Sequence, residues 1–188
     1  MHAIETPRLQ LGRLSEADEA LYCELYSEAD TMRYIGAPLS PERAARSFRR
    51  ALARSNEQPS GPELFAIVEK STQHAVGLCG VQPIDTAMRR AEIGILLNPE
   101  ARGLGYAAEG LAALLLHAFS ALPIDAVWVQ YQSSNAAAER LFIGLGFLLQ
   151  VDGEIGDACN ARHVRSVHRS SWGSSTLHNN RGEDACRM

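Results

Sequence analysis

The stretch Asn98-Pro99-Glu100-Ala101-Arg102-Gly103-Leu104-Gly105-Tyr106-Ala107-Ala108-Glu109-Gly110 has the residue types and spacing of an anion site. A β-rich run ends, a turn with two glycines follows, and an apolar helix begins at once. Such a turn aims several unpaired backbone N–H groups in one direction, at the positive end of a helix dipole. A pyrophosphate fits there. Glycine is required because a side chain would hold the phosphate away from the backbone. Gly103-x-Gly105-x-x-Ala108 also satisfies the dinucleotide fingerprint G-x-G-x-x-G/A. Two features count against that reading: Asn98 to Arg102 separate the strand from the first glycine, and the next strand closes with Gln130-Tyr131-Gln132 and no acidic residue.

The elements that must position this loop are legible from periodicity. Thr6 to Arg13 alternates with apolar Leu9 and Leu11 and predicts a first strand. Ser15, with Asp18 three residues on, opens a helix in capping-box spacing. Ser40-Pro41-Glu42 starts a second helix, with Ala44, Ala45, Phe48 and Leu52 as its apolar stripe. Its arginines, Arg43, Arg46, Arg49, Arg50 and Arg54, read as a solvated face. Leu64–Val68 and Ala75–Val81 form a hairpin through Lys70 to His74, and Ala91–Leu97 is a further strand ended by Asn98-Pro99. An apolar helix from Gly105 to Ser120 is followed by a strand over Ala126–Tyr131 and a helix over Asn135–Ile143. Strands over Phe147–Val151 and, with the weakest pattern, Val164–His168 complete the order. This is a mixed α/β sheet with helices on both faces.

Composition narrows the class. The 188 residues suit one domain over 1–172, with a polar tail from 173 to 188 that has little to bury and is expected to be disordered. A net charge of −4 gives no basic surface for nucleic acid. Apolar runs fall short of the roughly 18 residues of a membrane span, and the N-terminus lacks a secretory pattern. Cys23, Cys79, Cys159 and Cys186 are far apart and form no C-x-x-C pair, so a zinc site is not expected. They read as reduced thiols of a cytoplasmic protein.

Arg102-x-x-Gly105-x-Ala107 resembles the Q/R-x-x-G-x-G/A signature of the GNAT acetyltransferases, placed as theirs is between the fourth strand and the third helix. Downstream, Asn135-x-x-Ala138-x-x-Leu141-Phe142-x-x-x-Gly146-Phe147 is similar to their N-x-x-A-x-x-L-Y-x-x-x-G-F segment. Glu5-Thr6-Pro7-Arg8-Leu9, Met32-Arg33-Tyr34-Ile35-Gly36 and Glu92-Ile93-Gly94 resemble the RimJ/RimL-like branch, which includes ribosomal-protein N-terminal acetyltransferases. The resemblance spans residues 4 to 172. It implies a mostly antiparallel sheet splayed between its fourth and fifth strands, with acetyl-CoA as co-substrate and no metal. The pantetheine arm would bond strand-four backbone near Leu96 and Leu97. The pyrophosphate would take the N–H groups of Arg102, Gly103, Leu104, Gly105, Tyr106 and Ala107. Asn135 and Phe142 would line the arm from the other side.

The acceptor implied is a primary amine, either a peptide N-terminus or a small molecule, attacked on directly bound thioester; a homodimer stays open. A non-catalytic acyl-CoA-binding module is the alternative. A backbone N–H near Leu96 or Leu97 would hold the oxyanion, and Glu92, acting through a water, is the candidate base. The proton donor departs from the family. Phe142 stands where many members have tyrosine, and Ala138 where the branch often has serine. Tyr131, Ser133, Ser134 or water are left for that role. Glu109 and His117 are expected to be structural.

Overall fold

The computed structural model describes residues 3–57, 61–85, 87–150 and 161–172. The tail expected from residue 173 lies outside them. The strands are β1 (Ile4–Glu5), β2 (Leu9–Arg13), β3 (Glu63–Glu69), β4 (Ala75–Asp85), β5 (Arg90–Leu97), β6 (Ala126–Gln132), β7 (Leu148–Leu149) and β8 (Arg162–His168). The helices are α1 (Glu19–Ser27), α2 (Ala29–Met32), α3 (Pro41–Ser55), α4 (Tyr106–Ala121) and α5 (Ala136–Gly144). Among the described residues the strands make one sheet in the order β1-β2-β3-β4-β5-β6-β8-β7, antiparallel at every junction except β5–β6.

Side-chain alternation sorts the two faces. Phe65, Ile67, Cys79, Val81, Ala91, Ile93, Val127 and Val129 pack with Leu111, Leu114 and Leu115 of α4. The intervening Ala66 and Leu78 pack with Tyr22, Leu25 and Phe48 of α1 and α3 on the opposite face. The arginines of α3 are exposed, as a solvated face requires. No described helix is long and apolar enough to cross a membrane.

β5 and β6 make the splay. They pair in parallel only at Arg90↔Ala126, Ala91↔Val127 and Glu92↔Trp128. Beyond that rung β5 runs on to Leu97 and β6 to Gln132 without each other. β6 keeps a complete antiparallel partner in β8, from Ala126↔His168 to Gln132↔Arg162. The gap therefore has two walls. β5, the loop and α4 make one; β6, β8 and α5 make the other.

Several boundaries differ from the periodicity. The first strand is broken at Thr6–Arg8, where the Thr6 N–H turns to the Leu9 carbonyl (2.9 Å) and Pro7 has no N–H to give. Ser15 and Asp18 do form the capping box, but on a 3₁₀ turn that precedes α1. The short α2 went unpredicted because its cap is Glu28, whose carboxylate accepts from the Asp30 and Thr31 amides, a residue type rarely read as a cap. The strand expected over Phe147–Val151 is formed at Leu148–Leu149, and Val151 lies outside the described residues.

Candidate active site

The loop between β5 and α4 begins with a 3₁₀ turn, Pro99–Ala101, whose last bond is the Arg102 N–H to the Pro99 carbonyl (3.2 Å). That amide is spent inside the turn, so Arg102 does not contribute it to an anion site. Its guanidinium is also engaged: Nε donates to the Leu97 carbonyl (3.2 Å), Nη2 to Thr31 Oγ1 (2.6 Å), and Asp30 lies 3.8 Å away. Arg102 staples β5 to α2.

The next five amides differ. Gly103 (φ 76°) and Gly105 (φ 81°) are left-handed, and Gly105 is the N-cap of α4 with no side-chain cap. Among the described residues the N–H groups of Gly103, Leu104, Gly105, Tyr106 and Ala107 have no protein acceptor, nor has that of Ala108; the first amide of the helix ladder is that of Glu109, to Gly105 (3.1 Å). An ordinary N-cap side chain would satisfy one amide of this first turn. Here all are left open at the positive end of a 16-residue helix.

The loop is braced from behind. Glu109 Oε1 accepts from Thr6 Oγ1 (2.6 Å) and the Arg8 amide (2.8 Å), and Oε2 from Arg8 Nε (2.6 Å). Arg8 Nη1 reaches the Leu104 carbonyl (2.9 Å), and its guanidinium covers the Tyr106 ring at 4.7 Å. Tyr106 is buried with its hydroxyl on Glu69, so only its amide is available to the loop. A Cβ on Gly105 would sit 3.2 Å from Arg8 Nη2. Glu109 is thus structural, as its place in the pattern suggested.

Strand parity decides which β5 groups face the gap. The Asn98 amide bonds Val76 of β4 (3.0 Å), whereas the Arg89 carbonyl accepts from Asp125 (2.8 Å), just before β6. N–H and C=O of one residue point the same way in an antiparallel strand and alternate along it. Across the regular register Gly77↔Leu97 to Gln82↔Glu92, Ile93, Ile95 and Leu97 therefore turn their backbone groups to the gap. Leu96 turns its own to β4, which corrects the expectation for that residue.

Glu92 sits on the last paired rung, opposite Trp128, on the face away from α4. It is exposed and has no hydrogen-bond or ion-pair partner among the described residues. The protein around the carboxyl withholds water and pushes its pKa above the usual carboxylate range, while Arg162 pulls the other way. The result is a more basic carboxylate at the crotch of the splay.

The far wall is polar and closed around Tyr131, Glu139 and Arg165, while Trp128 Nε1 of β6 is enclosed without a hydrogen-bond partner among the described residues. Asn135 Oδ1 caps α5 by accepting from the Ala138 amide (3.1 Å), which leaves its NH₂ toward other partners. Phe142 is buried against Tyr131 (ring centroids 5.5 Å) and Phe147 (5.3 Å). Tyr131 donates its hydroxyl hydrogen to Glu139 Oε2 (2.8 Å) and accepts from Arg165 Nε (2.6 Å). That hydroxyl is fully occupied. Burial raises its pKa, with Arg165 opposing. Hydrogen bonds from His163 and Tyr131, then Arg165, hold the Glu139 carboxyl down at about 2 against its desolvation. This network joins three elements distant in sequence, and β8's weak alternation gave no signal of it.

Elsewhere, His117 bonds the buried Glu63 (2.6 Å) and stacks edge-on to Phe65, a packed histidine. Cys79 is buried, which pushes its thiol up, and it and Cys23 are free. Among the described residues no group of His, Cys, Asp or Glu could hold a metal ion.

Comparison with known proteins identifies the family. The family model described as acetyltransferase (GNAT) domain matches residues 8–148. The chain belongs to the GNAT acetyltransferase family. It is an acetyl-CoA-dependent N-acetyltransferase. It is 26% identical over 148 residues to the uncharacterized N-acetyltransferase p20 of Bacillus licheniformis, covering 78% of this chain and 83% of that protein. The fold is shared with spermidine N-acetyltransferase from Vibrio cholerae in complex with CoA and spermine (TM-score 0.75, 19% identity, 89% of this chain and 99% of that one). It is shared too with RimL, the ribosomal L7/L12 α-N-protein acetyltransferase in complex with coenzyme A (TM-score 0.76, 15% identity, 89% and 98%).

Proposed function

We propose that the chain transfers acetyl from acetyl-CoA to a primary amine by direct attack, with both reactants held in the β5–β6 splay. The observation that carries the reading is the run of five consecutive open amides from Gly103 to Ala107 at the α4 N-terminus. They suit the pyrophosphate. The pantetheine arm runs along the gap-facing backbone of Ile95 and Leu97, and the Asn135 NH₂ and Phe142 ring bound it on the other side. An N–H of Ile95 or Leu97 stabilises the oxyanion.

Direct attack needs no protein nucleophile, and holding the reactants together supplies much of the rate. Glu92 accepts the ammonium proton through a water. An α-amine of pKa about 8 is already about one-tenth neutral at pH 7, whereas a lysine amine near 10.4 costs about 4.6 kcal/mol to deprotonate. A single exposed carboxylate suits the first. That argument, with the Thr6-Pro7-Arg8-Leu9 resemblance and the RimL fold match, favours a peptide N-terminus within a RimJ/RimL-like branch. A small amine is the second acceptor class, in keeping with the spermidine enzyme's fold.

Proton return goes through water or the exposed hydroxyls of Ser133 and Ser134, since Phe142 and Ala138 carry no hydroxyl and that of Tyr131 is occupied. A thiol pKa near 8.5 makes the thiolate a tolerable leaving group without strong acid help. Mixing the protein and acetyl-CoA with a panel of peptides and small amines, and following free thiol together with the mass gain of one acetyl group, tests the reading. Thiol release with acetylated peptide is expected. Binding of acetyl-CoA without turnover on any amine would instead establish the non-catalytic module that the missing hydroxyls would suit.

A further inference from the structure

We infer that Tyr131, Glu139 and Arg165 are positioning residues for the acetyl-CoA cleft, a polar clasp that sets where α5 stands against β6. The inference rests on the proposed seat of acetyl-CoA in the splay.

The need for such a device follows from topology. After Trp128 the strand β6 loses β5 as a neighbour, so one edge of Val129–Gln132 is unpaired and the wall is held from β8 and α5 alone. α5 carries both proposed contacts to the arm, Asn135 and Phe142. Glu139 is four residues after the first and three before the second, which places all three on one side of the helix. Whatever grips Glu139 therefore fixes the height and rotation of those contacts.

The grip is complete. Arg165 is 8% exposed and its guanidinium spends Nε on the Tyr131 hydroxyl (2.6 Å), Nη2 on Glu139 Oε1 and Nη1 on the Phe147 carbonyl (3.3 Å). Tyr131 closes the triangle on Glu139 Oε2, an oxygen that also accepts from His163 Nδ1 (2.9 Å). The polar triangle interlocks with an aromatic one, since the Tyr131 ring stacks on Phe142 and Phe142 packs on Phe147. A shift of α5 along its axis breaks both at once.

Stability alone gives little reason to bury an arginine here. Replacing a buried ion pair by apolar residues of similar volume is often neutral or stabilising, because desolvation offsets the attraction. What an apolar patch cannot supply is direction. Hydrogen bonds along three fixed vectors select one position of α5, whereas methyl groups tolerate several. The same bonds exclude Tyr131 from the proton-donor role, for its hydrogen already lies on a strongly acidic carboxylate.

The test compares full-length variants in steady-state kinetics with acetyl-CoA varied. The Glu139→Met/Arg165→Met pair is expected to stay folded, with KM for acetyl-CoA raised about tenfold, kcat within about threefold and acceptor KM unchanged. Arg165→Lys keeps the charge and loses the fork, so it falls between, at about threefold in KM. A folded double variant with unchanged KM overturns the inference. Should the pair not fold, Tyr131→Phe decides: about a threefold rise in KM at full kcat supports positioning. A Tyr131→Phe variant with unchanged KM overturns it, and one that also loses about 100-fold in kcat makes Tyr131 the proton donor instead. Gly105→Val separates the two levels of the argument. If it leaves coenzyme A affinity intact, the seat of acetyl-CoA is wrong; if it abolishes affinity while the clasp variants do nothing, only the clasp is.

Discussion

The two walls of the splay treat their polar groups in opposite ways. On the β5–α4 wall five amides in a row and one carboxylate, Glu92, stand without partners among the described residues. On the β6–α5–β8 wall the hydroxyl of Tyr131, both Glu139 oxygens and all three Arg165 nitrogens are bonded. Buried polar groups are normally satisfied within the protein, whereas the open ones here lie mostly at exposed residues, where solvent or a ligand completes the bonding. Closed ones mark where geometry is being held. On the proposed reading, one wall carries the pyrophosphate and the base, and the other holds the geometry of the cleft.

Substitutions that break this division should act on different constants. Glu92→Gln removes the open carboxylate and is expected to lower kcat about 100-fold while coenzyme A affinity stays the same. Equal loss of affinity would place Glu92 in binding rather than proton transfer. Because its folded pKa is raised, the ionised carboxylate is a burden that appears as pH rises through that value. Glu92→Gln should therefore melt no lower than the parent at neutral pH, a point thermal denaturation settles.

Gly105→Val strikes the open amides. A β-branched residue at φ 81° costs about 1–3 kcal/mol and crowds Arg8. Relieving this turns the amides away, so coenzyme A affinity is expected to fall about 10- to 100-fold, which calorimetric titration would measure. The closed wall should respond to acid instead. Glu139 is held at about 2, so its contribution is present above the unfolded value of about 4.3 and is lost as pH falls through the folded one. Acid titration of the Phe142 and Phe147 ring signals is expected to show the clasp intact at pH 5 (about a unit above that unfolded value). Ring signals that titrate near the unfolded value of about 4.3 would show that Glu139 is not so held.

The smallest effect is expected from Phe142→Tyr, which restores the hydroxyl common in the family. With water or a serine hydroxyl returning the proton, kcat should change by less than about threefold. A large gain would reveal that proton return limits turnover.

The division between walls also explains what could be read in advance. The open loop is local: a strand end, two glycines and an apolar helix lie within 13 residues, and their types alone announce unpaired amides. The helix capped by Ser40 and the 3₁₀ turn capped by Ser15 were legible for the same reason. Two details escaped because each depends on a partner elsewhere. The Arg102 amide is removed by the Pro99–Ala101 turn, and the choice between Leu96 and its neighbours depends on register with β4, where one step reverses every backbone group. The clasp was invisible altogether. Its members lie in β6, α5 and β8, and an arginine in a strand signals solvent until a carboxylate and a phenol are found beside it.

Amide hydrogen exchange read residue by residue by NMR tests the central claim most directly. Without ligand, Gly103 to Ala107 should exchange fast, as amides without acceptors do. With saturating coenzyme A their exchange should slow by about tenfold or more, while the β6 ladder to β8, already bonded, changes little. Coenzyme A that binds yet leaves those five amides fast would contradict the account.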